Sequence, residues 1–277
     1  MEYIQISSTS NSRIKEAIRI RERKHAEGDN LFVVEGPKII EMALAAGAKI
    51  REVFFTDHFT AKNEGKELLG LLSKKTTDIC RVADHVFAKL SDTETPQGIA
   101  AVASYPVLPL DRLSLSATSL YVVLDGVGDP GNLGTIIRTS DAAGVDAVIL
   151  LEGTCDAFIP KVIRATAGSI FNVRLALATD DQLIAWRQEH DIQIAVTAAD
   201  APRSVFEAEL TGALAFIFGN EARGVRKAIK DSADLLVKIP LYGKAESLNV
   251  ATSAAICLYE AVRQRRAKQT WQKNPSK

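Results

Sequence analysis

The apolar positions of the chain fall into two periods, one of helices and one of strands. Asn11 or Ser12 can cap a helix in which Ile14, Ala17 and Ile18 follow at helical spacing. LFVVE at 31–35, REVFFTD at 51–57, DICRVA at 78–83 and GIAAVAS at 98–104 read as strands. Helical segments separate them at 37–46, ended by Gly47, at 64–74 and at 84–90. The stretch 105–118 carries two prolines and a string of small polar residues, and reads as a linker. The pattern then restarts. LYVVLD at 120–125 and DAVILLE at 146–152 are continuous apolar runs, as buried parallel strands should be. A short strand near 172–177 and the runs IQIAVTAA (192–199), ALAFIFG (213–219) and LLVKIP (235–240) add further strands. Helices are expected from near Asn132, at 160–168, at 180–190, and from near Asn249 to about Lys268. This alternation predicts an α/β fold with a parallel sheet covered on both faces. Ligands of such sheets sit beyond the carboxyl ends of the strands.

Composition narrows the class. Of 277 residues, 47% are apolar and 25% charged, enough to bury a core and exclude a disordered or collagen-like chain. No window reaches about 18 consecutive apolar residues, so no membrane span is expected. The first twenty residues lack the basic-then-apolar order of a secretory leader, which predicts a cytoplasmic protein. Cys80, Cys155 and Cys257 are too widely spaced for a zinc site, and no ligand cluster points to a metal. Basic and acidic residues balance at 34 each. Their distribution is uneven: Arg13, Lys15, Arg19, Arg21, Arg23 and Lys24 crowd one segment against Glu16 and Glu22. Arg263, Arg265, Arg266, Lys268, Lys273 and Lys277 crowd the other end against Glu260. Such runs are either solvated helix faces or phosphate contacts, and charge alone leaves both open.

Three loops, each after an expected strand, concentrate the chemistry. Residues 126–134, GVGDPGNLG, contain a GxGxxG pattern at Gly126, Gly128 and Gly131, with Glu152 ending the next strand. That layout fits a dinucleotide fingerprint. Pro130 argues against it, because it removes a backbone donor from a loop that should offer N–H groups to phosphate. Asn132, Thr135 and Arg138 follow on adjoining helical turns. The second loop, FGNEARGV at 218–225, has Gly219 and Gly224 for a tight turn, and Glu221 as a helix-dipole partner. The third, IPLYGKAESLNV at 239–250, offers Ser247 or Asn249 as a helix cap. The rest of that run fits a pocket for a flat, partly apolar ligand with a polar edge.

Together, DGVGDPGNLGTIIRTSDAAG, FIFGNEARGV and IPLYGKAESLNVATSAAI resemble the three motifs of the SpoU (TrmH-type) RNA 2′-O-ribose methyltransferases of the SPOUT superfamily. The resemblance covers about 120–266. The first part, NSRIKEAIRIRERKHAEGDNLFVVEG, looks like the family's substrate-binding domain, similar to the L30e fold. The resemblance implies an L30e-like domain over 1–105, a linker over 106–118, and a SPOUT domain with a deep trefoil knot over 119–270. It implies S-adenosylmethionine as cofactor, bound at positions matching Gly219, Ile239, Leu241 and Leu248, with Thr197 and Ala198 nearby. Asn132, Arg138, Glu221, Ser247 and Asn249 match the polar positions of the motifs. The family works as homodimers with the site near the subunit interface.

Methyl transfer to a hydroxyl is an in-line displacement in which positioning lowers much of the barrier. No histidine falls in the motifs; His25, His58, His85 and His190 lie elsewhere. The family gives the proton to the arginine matching Arg138. A guanidinium is a poor base, so Arg138 is expected to orient the 2′-OH and its phosphate, accepting the proton only late. Glu221 is expected to hold Arg138 or the motif loops. RNA is expected on Arg13, Lys15, Arg19 and Arg23. An L30e-like domain favours ribosomal over transfer RNA. The alternatives are a tRNA methyltransferase, an NAD-dependent oxidoreductase, and a non-catalytic RNA-binding protein.

Overall fold

The computed structural model describes residues 3–23 and 30–273, and side chains as far as residue 268. Lys24, His25, Lys277 and the side chain of Lys273 lie outside the described residues. The chain divides into two compact units, Met1–Pro106 with Ala157–Phe171, and Val107–Asp156 with Asn172–Lys277. Residues 157–171 thus pack with the first unit although they fall inside the span expected for the second domain.

In the first unit the strands are β1 (Ile4–Ile6), β2 (Leu31–Glu35), β3 (Lys49–Phe55), β4 (Ile79–Val82) and β5 (Ile99–Ser104). The helices are α1 (Ser12–Arg21), α2 (Pro37–Ala45), α3 (Asp57–Thr60), α4 (Asn63–Leu72) and α5 (Asp84–Leu90). The sheet order is β1-β4-β3-β5-β2. It is mixed: β1, β4 and β3 run parallel, whereas β5 is antiparallel to both β3 and β2. Asn11 caps α1 by accepting from Arg13 N–H, and Ile14, Ala17 and Ile20 form its buried stripe. Against the other side of β2, Phe32 stacks on Phe158 at 4.6 Å between ring centroids, and Tyr105 meets Phe171 edge-on at 5.5 Å. These rings explain why 157–171 belongs to this unit: it carries the apolar cover of Phe32, which is fully buried.

The second unit holds β6 (Leu120–Asp125), β7 (Ala147–Leu151), β8 (Arg174–Ala178), β9 (Gln193–Thr197), β10 (Arg203–Ser204), β11 (Leu214–Gly219) and β12 (Leu235–Lys238). Its helices are α6 (Pro130–Ala143), α8 (Asp180–Glu189), α9 (Lys227–Asp231) and α10 (Val250–Lys273); α7 (Pro160–Thr166) lies in the first unit. All pairings are parallel, in the order β10-β12-β9-β11-β6-β7-β8. The central strands are apolar on both faces, as parallel strands between two helical layers must be. On one face Tyr121, Val123, Ile149, Ile194 and Ile217 pack with Leu183 and Trp186 of α8. α6 and α10 pack against each other.

One expectation needs correction here, and one question that charge left open gains detail. Helix α6 starts at Pro130, not near Asn132. Asp129 caps it by accepting from Asn132 N–H at 2.8 Å, and Pro130 takes the first helical position, where no N–H is needed. Two arginines of the C-terminal basic run have partners in the same unit. Arg263 pairs with Glu260, and Arg265 donates to the carbonyls of Thr118, Ser119, Leu210 and Gly212.

Candidate active site

The three loops meet at the carboxyl ends of β6, β9, β11 and β12. The first two are laced together. Asp125 ends β6 and Gly126 turns the chain at φ +73°. Gly126 N–H donates to Thr154 Oγ1 at 3.0 Å, and its carbonyl accepts from Asn220 Nδ2 at 2.8 Å. Asn220 and Gly224 exchange backbone bonds of 3.1 and 2.8 Å, closing a hairpin over 220–224. A Cβ on Gly219 would lie 2.2 Å from Gly224 C and 2.3 Å from Val225 N, so only glycine lets this hairpin fold back on its own strand.

Glu221 reaches from the hairpin into the first loop. Its carboxylate accepts from Gly128 N–H and Asp129 N–H, both at 3.3 Å, and from Asn132 Nδ2 at 2.9 Å. Burial pushes its pKa up, but the bonds from Asn132, its own N–H, Gly128 and Asp129 outweigh that and hold the carboxyl below its usual value. Glu221 caps no helix of its own loop; α9 begins later, at Lys227. Nor does it hold Arg138. It holds the first loop, and it occupies the N–H groups that a pyrophosphate would need. The GxGxxG match is therefore a local turn whose anion site the chain fills itself.

The third loop joins through Asn249. Its Oδ1 accepts from Ala251 N–H at 2.9 Å and Thr252 N–H at 3.3 Å, capping α10. An amide nitrogen cannot accept, so this cap fixes which way the amide points. Its Nδ2 must then donate, and it does, to Asn132 Oδ1 at 2.8 Å. Asn132 in turn must present its own Nδ2 to the Glu221 carboxylate. The chain Asn249–Asn132–Glu221 is thus polarised from end to end. Each amide keeps one further N–H for an acceptor.

Beside this chain lies a cavity of about 900 Å³. Thr197, Ala198, Gly219, Ile239, Leu241 and Leu248, the positions expected around a cofactor, all line it, as do Glu221, Ser247 and Asn249. Val196, Val237 and Val250 supply apolar wall, and Asp200 pairs with Lys230 at 3.1 Å. That hydrogen bond holds the Asp200 carboxyl below its usual value. Arg138 is not among the lining residues. It sits exposed on α6, and among the described residues it has neither hydrogen bond nor ion pair. Apolar walls, backbone groups in the segments after β9, β11 and β12, and a glycine cradle that a Cβ would fill suit a nucleoside with a short polar tail.

The cations expected to meet RNA stand differently. Arg13 pairs with Glu52 at 2.5 Å and Asp78 at 3.0 Å. Arg23 donates to the carbonyl of Leu31. Lys15 is exposed, and Arg19 is 63% exposed with Glu16 only at 3.9 Å. Three residues of the site escaped sequence reasoning: Asn220, Asp125 and Arg226. A carboxylate closing the apolar run LYVVL is a visible signal for Asp125; its partner Arg226, far along the chain, gives none.

A parallel sheet with a nucleoside-sized cavity at the carboxyl ends of β9, β11 and β12 is the arrangement of a cofactor-binding protein of the α/β class. The SpoU rRNA methylase family model matches residues 119–259, and the model of an MRM3-like substrate-binding domain matches 11–101. A 23S rRNA (guanosine-2′-O)-methyltransferase of Bacillus subtilis is 34% identical, over 92% of this chain and 98% of that relative. An S-adenosylmethionine-bound rRNA methyltransferase from Sinorhizobium meliloti superposes with a TM-score of 0.86 at 29% identity, over 94% of this chain and 97% of that one. The SpoU methyltransferase AviRb of Streptomyces viridochromogenes, also solved with S-adenosylmethionine, gives 0.82 at 28%, over 93% of this chain and 99% of that one. The chain belongs to the SpoU family. It is an S-adenosylmethionine-dependent RNA 2′-O-methyltransferase.

Proposed function

We propose that this enzyme methylates a ribose of 23S-type ribosomal RNA, in the cytoplasm, as a homodimer. The observation that carries the reading is the convergence of six cofactor positions on one cavity with the polarised Asn249–Asn132–Glu221 chain at its rim. S-adenosylmethionine supplies a methyl group already activated on sulfonium, so the protein's work is positioning. The cavity orients the donor through backbone groups of the second and third loops. Asn132 and Asn249 present N–H donors, so they hold oxygen acceptors of the ribose or its phosphate; neither amide takes up a proton. Glu221 is a weak base by virtue of its lowered pKa, and its task is to hold Asn132 and the first loop. Ser247, exposed on the cavity rim, supplies a hydroxyl to the same edge.

Arg138 orients the 2′-OH and the adjacent phosphate, for which a planar fork is suited. Its exposure outside the cavity of its own chain fits a site completed at a subunit interface. The reading includes the trefoil knot. β12 enters the sheet between β9 and β10, both earlier in sequence, before 239–241 and 246–249 line the cavity. The L30e-like domain, over about 1–105, binds RNA through Lys15, Arg19 and neighbouring cations.

The test is methyl transfer from labelled S-adenosylmethionine to protein-free 23S rRNA, to assembled large subunits and to tRNA, with the modified ribose mapped. Incorporation at one ribose of 23S rRNA is expected. Incorporation into tRNA alone overturns the substrate, and incorporation nowhere overturns the activity. Arg138→Ala is expected to abolish turnover with cofactor affinity within about threefold, and retained turnover would remove Arg138 from the mechanism.

A further inference from the structure

Outside the residues already assigned, Asp125, Arg226 and Asp180 form a charge network next to the hairpin that lines the cavity. Asp125 is 1% exposed at the end of β6. Both of its carboxylate oxygens are taken by Arg226, one by the backbone N–H at 2.6 Å and one by Nε at 2.5 Å. The outer guanidinium nitrogen, Nη2, donates to Asp180 Oδ1 at 2.7 Å, at the start of α8. Arg226 immediately follows the run 219–225, six of whose residues line the cavity, and it is the N-cap residue of α9.

The hairpin therefore has three anchors on the first loop. Asn220 holds Gly126 O, Glu221 holds the 128–132 segment, and Arg226 holds Asp125. The first two carry the near limb of the hairpin. The far limb, where Arg223, Gly224 and Val225 meet the cavity, is tied back to Asn220 by the Gly224 backbone pair and the Arg223 N–H, and Arg226 adds its direct tie to β6 through Asp125. Charge bookkeeping agrees with an anchoring role: one guanidinium between two carboxylates leaves no cation spare for phosphate. A buried carboxylate with its partner removed is strongly unfavourable, so the loop must move to relieve it.

We propose that Asp125 and Arg226 are positioning residues for the S-adenosylmethionine site, holding the 219–226 hairpin in its ligand-ready shape before the donor arrives. Asp180 steadies the outer end of the guanidinium. The inference rests on the cofactor reading of the cavity.

Calorimetric titration with S-adenosylmethionine tests it on the full-length wild type, Arg226→Met, Arg226→Lys, Asp125→Asn and Asp180→Asn, with thermal midpoints and steady-state kinetics alongside. Arg226→Met is expected to weaken cofactor binding at least tenfold and to raise the cofactor KM in step. Both variants keep the backbone N–H bond to Asp125, and Arg226→Lys, which also keeps the positive charge, should recover part of that loss. Asp180→Asn should cost no more than about threefold. Combining Asp125→Asn with Arg226→Met should cost much less than the product of the single effects, as for two groups acting through one contact. A purely structural pair would lower the midpoint and leave affinity and KM unchanged, which overturns the proposal. A rise in the RNA KM with unchanged cofactor affinity overturns it too, by making Arg226 an RNA contact. If Arg226→Met does not fold, Arg226→Lys and Asp180→Asn carry the same comparison, and two unaltered affinities sink it. Absence of binding by the wild type would instead remove the cofactor reading itself.

Discussion

Asn249 has two duties that demand the same amide orientation: its oxygen caps α10 and its nitrogen holds Asn132. Asn249→Asp separates them. A carboxylate caps a helix as well as an amide does, so the thermal midpoint should stay within a few degrees. It cannot donate, and it confronts Asn132 Oδ1 with a like acceptor. Turning the Asn132 amide only moves the conflict, because its oxygen then faces Glu221. We expect kcat to fall about a hundredfold, ~2.7 kcal/mol of barrier, with the midpoint kept. Equal loss of midpoint and kcat would show that the cap, rather than the polarised chain, matters. Glu221 makes a matching prediction about pH. Its folded pKa is lowered, so its contribution is present above the unfolded carboxyl value of about 4.3 and is lost only as pH falls below that. The advantage of wild type over Glu221→Gln in cofactor affinity should therefore be constant between about pH 5.5 and about pH 8. An advantage that fades across that window would contradict the lacing described here.

At the scale of elements, the sequence makes the core strands legible and leaves their partners obscure. LYVVLD and LFVVE coincide with β6 and β2 because a buried strand must be apolar throughout, whatever it pairs with. β1 and β10 are hidden for the converse reason: IQI and RS are too short to show a period, and only a neighbouring strand makes them strands. The antiparallel placing of β5 leaves no mark in composition. The polar positions Asn132, Glu221, Ser247 and Asn249 were legible through the motifs, but the roles of the arginines were not. A guanidinium bound for water and one bound for carbonyls look alike in sequence. Arg265 shows the cost of that ambiguity. It ties α10 to the turns at 118–119 and 210–212 through four carbonyls, and burial pushes its pKa down. Arg265→Met keeps the stem and removes these bonds; Ser119 O retains the Leu214 N–H and the exposed Thr118 and Gly212 carbonyls turn to water, so it should destabilise by about 1–2 kcal/mol in denaturant titration. RNA affinity should stay within about twofold, since the charge is already spent inside the fold; a tenfold loss of RNA binding would return this helix end to the RNA surface.

At the scale of the whole chain, the two units carry their own reporters. Cys80 lies buried in the first, where burial first and then the Glu52 carboxylate push its thiol up to about 12. Cys257 lies buried on α10 in the second, where burial alone raises it to about 12. Cys155 is half-buried, and none of the three forms a disulfide. The thiolate is the reactive species, so at about pH 8 both buried thiols are protected twice, by access and by protonation. A maleimide pulse on native protein should therefore modify Cys155 alone. Under rising denaturant, Cys80 should become reactive as the first unit opens and Cys257 as the second does. The two labelling midpoints then measure the two stabilities separately, even where a single spectroscopic transition would merge them. Arg265→Met supplies the internal control. Its broken contacts lie wholly in the second unit, so it should advance the Cys257 midpoint and leave that of Cys80 in place. Advance of both by the same amount would mean that the two units open as one cooperative body, and labelling of Cys257 at the native rate of Cys155 would contradict the packing of α10 itself.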